Sequence, residues 1–141
     1  MYIKYTLIVL FPLWAYSAKC PDEFIKMSET CYYKKHIDVL QDFIDINESL
    51  RDLNPQNVGN QEWYQGKLMV LYLGDHLLRE IPNSIDLLST LQYLDLQKNK
   101  LINLPESICN LYSSNITIHI SENNICSPYP YCYEYIGEQN I

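Results

Sequence analysis

A chain of 141 residues with 17 acidic and 10 basic side chains, and a formal net charge of −7, lacks the positive surface that holds a phosphate backbone, so no nucleic-acid partner is expected. Apolar residues make up 48% of it, enough for the continuous core of one domain and too many for a disordered tail. No low-complexity segment or linker divides it.

Residues 1–18 have the form of a secretory signal: Lys4 near the start, an apolar run from Leu7 to Ala15, then small residues at Ala15, Ser17 and Ala18. The run is short beside the roughly 20 apolar residues of a bilayer span, which favours cleavage and a secreted or cell-surface product. An uncleaved N-terminal anchor is the alternative, and contact with a membrane is expected only if the segment is retained. Loss of Lys4 would leave the remainder still more acidic.

Five cysteines in an exported chain imply disulfides. Cys20 and Cys31 bracket the start of the mature sequence, while Cys126 and Cys132 bracket Ser127-Pro128-Tyr129-Pro130-Tyr131 near its end. Pairing within each bracket is the simplest connectivity and makes Cys109 a partly buried free thiol. No Cys-x-x-Cys pair or set of histidines at ligand spacing occurs, so neither a metal nor another cofactor is expected.

Next comes an amphipathic pattern. Ile37, Leu40, Phe43, Ile46, Leu50 and Leu53 share one face of a helix, and Asp38, Asp42, Asp45, Glu48 and Asp52 share the other. Asn54-Pro55 would stop it, because the residue before proline disfavours helical angles. The apolar face should cover the leucines that follow, with Trp63 and Tyr64 in the join. The acidic face is either a solvated surface or a dock for a basic partner.

Those leucines repeat. Leu68, Leu71, Leu73, Leu78, Ile81, Pro82, Ile85 and Leu88 recur 23 residues later as Leu91, Leu94, Leu96, Leu101, Leu104, Pro105, Ile108 and Leu111. The alternation in Leu94-x-Leu96 is the period of a strand, with Asp95 and Gln97 turned outward. Asn99 falls where the strand ends, where a buried amide satisfies turning backbone; His76 holds that place in the first copy and reads as its structural substitute. A third, partial copy, Ile118-x-Ile120-x-x-Asn123-x-Ile125, is offset by 24 from the second. Two sequons, at Asn47 and Asn115, matter only in a host that glycosylates exported proteins.

The pattern Leu91-x-x-Leu94-x-Leu96-x-x-Asn99-x-Leu101-x-x-Leu104-Pro105 matches the leucine-rich-repeat signature, and with Ile/Leu-Pro-x-Ser-Ile it resembles the Ras-binding type. The flanks Cys20-Pro21-Asp22-Glu23-Phe24, Cys31-Tyr32-Tyr33, Val39-Leu40-Gln41-Asp42-Phe43-Ile44-Asp45, and Asn123-Asn124-Ile125-Cys126 with Tyr135-Ile136-Gly137-Glu138-Gln139 look like exported leucine-rich-repeat proteins known mainly from environmental bacterial sequences. The expectation is an α/β fold: a short leucine-rich-repeat solenoid with parallel strands on a concave face and an N-terminal helical cap. Its divisions would be a signal at 1–18, a cysteine-containing cap at 19–67, repeats at 68–125 and a C-terminal cap at 126–141.

Such a scaffold implies a protein or peptide partner held on the strand face by Tyr72, Asp75, Tyr93, Asp95, Gln97, His119 and Ser121. Three strands at about 4.8 Å spacing give a patch ~10–15 Å wide, suited to a peptide or loop. A structural or surface-assembly protein without a discrete ligand is the second reading. An enzyme is not expected, since no Gly-x-Ser-x-Gly, His-Glu-x-x-His or phosphate-loop pattern occurs and no catalytic residues can be named.

Overall fold

The computed structural model describes residues 19–112 and 116–132. The expected signal at 1–18, the sequon at Asn115 and the Tyr135–Gln139 segment lie outside the described residues.

Strands β1 (Phe24–Met27) and β2 (Thr30–Tyr33) form an antiparallel hairpin. Helix α1 (Lys34–Ile46) follows directly. After 3₁₀ turns at Glu48–Leu50 and Pro55–Asn57 come β3 (Asn60–Tyr64) and β4 (Lys67–Tyr72). A third 3₁₀ turn (Asn83–Leu87) leads to β5 (Tyr93–Asp95), and the short helix α2 (Ile108–Tyr112) to β6 (Thr117–His119).

The second sheet has the order β3-β4-β5-β6 and is mixed. β4, β5 and β6 run parallel with Leu71, Leu94 and Ile118 side by side, whereas β3 runs antiparallel to β4. Among the described residues the architecture is therefore a two-stranded sheet, a four-stranded mixed sheet and one helix longer than five residues. This corrects the solenoid expectation: no all-parallel array with a stack of repeating units is present among the described residues. The physical reason lies at Gln65-Gly66, both with positive φ (49° and 75°), which fold β3 back as a hairpin onto the open edge of β4. Gly66 is required there, because a Cβ would stand 2.3 Å from the Cys31 carbonyl oxygen.

One core runs beneath the larger sheet. Leu68, Leu71, Leu73, Leu94 and Leu96 enter it from the sheet, Val39, Leu40 and Phe43 from α1, and Ile85, Leu88, Ile108 and Leu111 from the return segments. Helix α1 packs against the turns at Pro55–Asn57 and Asn83–Leu87.

The helix is shorter than the apolar pattern predicts. Asn47 is buried at 2% exposure; its Nδ2 donates to the carbonyls of Phe43 and Glu80, and its Oδ1 accepts from the backbone N–H of Arg79 and Glu80. That inward pull ends α1 at Ile46. Leu50 still reaches the core, but Ile46 and Leu53 are exposed. Trp63 does fill a join, its ring edge-on to Tyr32 at 4.8 Å and its Nε1 donating to Gln61. Tyr64 does not, being 64% exposed.

Cys20 pairs with Cys31, the Cα atoms 5.6 Å apart. The second expected bond is corrected: Cys132 pairs with Cys109, at a Cα separation of 5.5 Å, and Cys126 is the exposed free thiol. Cys109 lies on the buried side of α2 beside Ile108 and Leu111, so the bond pins the last described residues against the core.

Candidate functional site

The solvent face of the four-stranded sheet gathers the residues of interest. The parallel register sets Val70, Tyr93 and Thr117 in one row and Tyr72, Asp95 and His119 in the next. The 23- and 24-residue offsets extend this to Gly74, Gln97 and Ser121, then to Asp75, Lys98 and Glu122.

Two features hold the rows in place. Beyond the strands, Leu73 N–H donates to the Asp95 carbonyl and Leu96 N–H to that of His119; Asp75 N–H donates to the Gln97 carbonyl and Lys98 N–H to that of Ser121. Each chain then turns through a left-handed residue, Asp75 (φ 59°), Lys98 (φ 55°) and Glu122 (φ 55°). Such angles strain non-glycine residues, and buried asparagines support them. Asn99 Oδ1 accepts from the N–H of His76 and Leu78, while its Nδ2 donates to the carbonyls of Leu73, Leu96 and Gln97. Asn123 repeats this one strand on, accepting from Leu101 N–H and donating to Leu96, Ile120 and Ser121.

On this frame three rings line up. Tyr72 and Tyr93 have centroids 5.2 Å apart, and Tyr93 and His119 are 5.3 Å apart. Asp95 lies in register with Tyr72 on one side and His119 on the other. Its Oδ1 accepts from Gln97 N–H at 3.0 Å. Gln97 Nε2 donates to Ser121 Oγ at 2.9 Å and lies 3.3 Å from His119 Nδ1. Partial desolvation, then the Asp95 carboxylate and Tyr72, hold the Tyr93 phenol above its ordinary pKa.

Six of the seven residues expected on the face, Tyr72, Tyr93, Asp95, Gln97, His119 and Ser121, thus form one connected patch. Asp75 stands at its rim, on the turn beyond Tyr72. Asn60 and Glu62, outside the expected set, also belong to this face, because β3 brings them alongside Tyr72 and Val70. Their signal was present in the alternation Asn60, Glu62, Tyr64 outward against Gln61 and Trp63 inward.

Elsewhere, chemistry-bearing groups are engaged structurally. His36 is fully buried, with Nδ1 accepting from Leu68 N–H at 3.0 Å, and burial, aided by Lys67, pushes its pKa down to about 4 against a smaller opposing effect of the Leu87 backbone. His76 Nδ1 lies 2.7 Å from the Gly74 carbonyl. On the acidic face of α1, Asp38 pairs with Lys34, Asp42 accepts from the Ser84 hydroxyl and Asp45 from Gln41, and in the turn beyond it Glu48 pairs with Arg51. These local contacts favour the solvated reading of that face. Among the described residues no cluster of three or more His, Cys, Asp or Glu is placed to hold a metal ion, and no helix is long and apolar enough to cross a membrane.

Set against family models, curated proteins and solved structures, the chain has no match. Its own geometry carries the functional reading.

Proposed function

We propose that this protein is a secreted or cell-surface interaction module that binds a peptide or protein segment across the solvent face of its four-stranded sheet. The observation that carries the reading is the ring row Tyr72, Tyr93 and His119 around Asp95. Tyrosine gives large contact area at a low entropy cost, and the neighbouring carboxylate and amide supply directional polar contacts. Two disulfides fit an extracellular, oxidising setting. The module performs no reaction in this reading.

The test is selection of random linear peptides displayed on phage against the oxidised full chain, followed by titration calorimetry of the recovered peptides. Tyr72→Ala with Tyr93→Ala should weaken binding by about tenfold or more, as expected for aromatic contacts at the centre of an interface. Asp38→Asn with Asp45→Asn on α1 should leave it unchanged. Equal binding by the tyrosine variant, or loss on the helix variant, would refute the reading.

A further inference from the structure

We infer that Asp95 and the rings around it form a subsite for the guanidinium of an arginine in the bound segment; the inference rests on the sheet face being the binding surface. Asp95 has one oxygen committed and one free in direction. Oδ1 accepts from Gln97 N–H, while Oδ2 faces residue 74, where a Cβ would stand 3.2 Å away. Residue 74 is glycine, although the corresponding positions on the next two turns carry Gln97 and Ser121. The missing side chain lets the carboxylate lie close over the backbone of residue 74, an approach that in that row occurs only at this strand.

Among the described residues no lysine or arginine pairs with Asp95. Lys98, the nearest cation along the chain, has its Nζ 3.9 Å from Glu122, and Lys67 Nζ stands 5.4 Å from the centroid of the Tyr33 ring. The face as a whole presents Glu62, Asp75, Asp95 and Glu122 against Lys67 and Lys98, so its complement is a cation. Two tyrosine rings tilted by 47° flank the carboxylate and offer π faces to that cation. A guanidinium suits the site better than an ammonium: its plane lies against a ring while its edge donates to Oδ2, and it is the more weakly hydrated of the two.

The experiment follows backbone amide resonances of the oxidised full chain during titration with a capped peptide of one arginine between two glycines. The control is the same peptide with citrulline, a neutral isostere. The inference predicts saturable shifts at Tyr93, Asp95 and Gln97, affinity at least about fivefold weaker for citrulline, as charge-assisted bonds outweigh neutral ones, and loss of that difference in Asp95→Asn. The asparagine retains an acceptor for Gln97 N–H, so the turn stays intact. Gly74→Ala, which sets a methyl against the Asp95 carboxylate without changing charge, should weaken the arginine peptide more than the citrulline peptide. Equal binding of the two peptides at this face would overturn the arginine subsite and leave the interaction face standing. Absence of shifts at these amides with millimolar arginine peptide would also overturn it, with the display selection then deciding on the face itself.

Discussion

Asn99 carries more of the structure than any exposed residue of the patch. Its carboxamide makes five hydrogen bonds to backbone groups, and leaving buried polar groups unpaired costs about 1–3 kcal/mol each. Asn99→Ala should destabilise the chain by ~2–4 kcal/mol in urea titration, with a loss of ordered amide signals at Asp75 and Lys98. An effect below about 0.5 kcal/mol would show that water replaces the amide. His36 gives a pH dependence of known sign. Its folded pKa of about 4 lies below the ordinary 6.5, so the neutral ring favours the fold above pH 6.5 and that contribution falls away as pH drops toward 4. Since each tenfold change in proton affinity is worth about 1.4 kcal/mol, the loss approaches ~3 kcal/mol. Urea titrations at several pH values on wild type and His36→Gln check this, since the carboxylates titrate in both and cancel in the difference. A constant gap between the two proteins would contradict it.

At the scale of elements, the strand register was legible and the elements around it less so. Inward leucines alternating at Leu71, Leu73, Leu94 and Leu96 fix which side of each strand is buried, and a slip by one would expose them all. The polar positions between them, hence most of the patch, follow. The end of α1 was hidden because the apolar spacing continues through Leu50, while the break is made by Asn47, whose four partners include backbone 32 and 33 residues away. A glycan on that asparagine is incompatible with this burial, so the sequon at Asn47 is closed in the folded protein. The β1–β2 hairpin turns at Ser28 (φ 55°) and Glu29 with no glycine or proline to mark it. Cysteine pairing was illegible for a similar reason: proximity along the chain favoured Cys126 with Cys132, but α2 sets Cys109 beside Cys132 in space. Alkylation of the native oxidised chain should therefore modify Cys126 alone, read by peptide mass mapping; modification of Cys109 would contradict the structure. Replacing Cys109 and Cys132 together should cost ~3 kcal/mol, the chain-entropy value for a loop of this size.

Across the whole molecule, the repeat established local pairing without establishing the architecture. Three parallel strands follow from residues 23 or 24 positions apart, yet the antiparallel β3 and the short return segments, one a 3₁₀ turn and one an α-helix, produce a small mixed sheet over one core. Adding β3 widens the exposed face to about 15 Å across strand axes and brings Glu62 to it. An extended segment crossing that width would meet Asn60 or Glu62, Tyr72, Asp95 and His119 in turn, a contact area suited to a modest, specific interaction. Binding at the sheet face is tested by an amide-resonance map of a display-selected peptide bound to the oxidised full chain. Binding across the sheet face predicts that perturbed residues fall on Val70–Tyr72, Tyr93–Gln97 and Thr117–Ser121; a map centred on α1, or on the turns around Leu77 and Ile102, would contradict it.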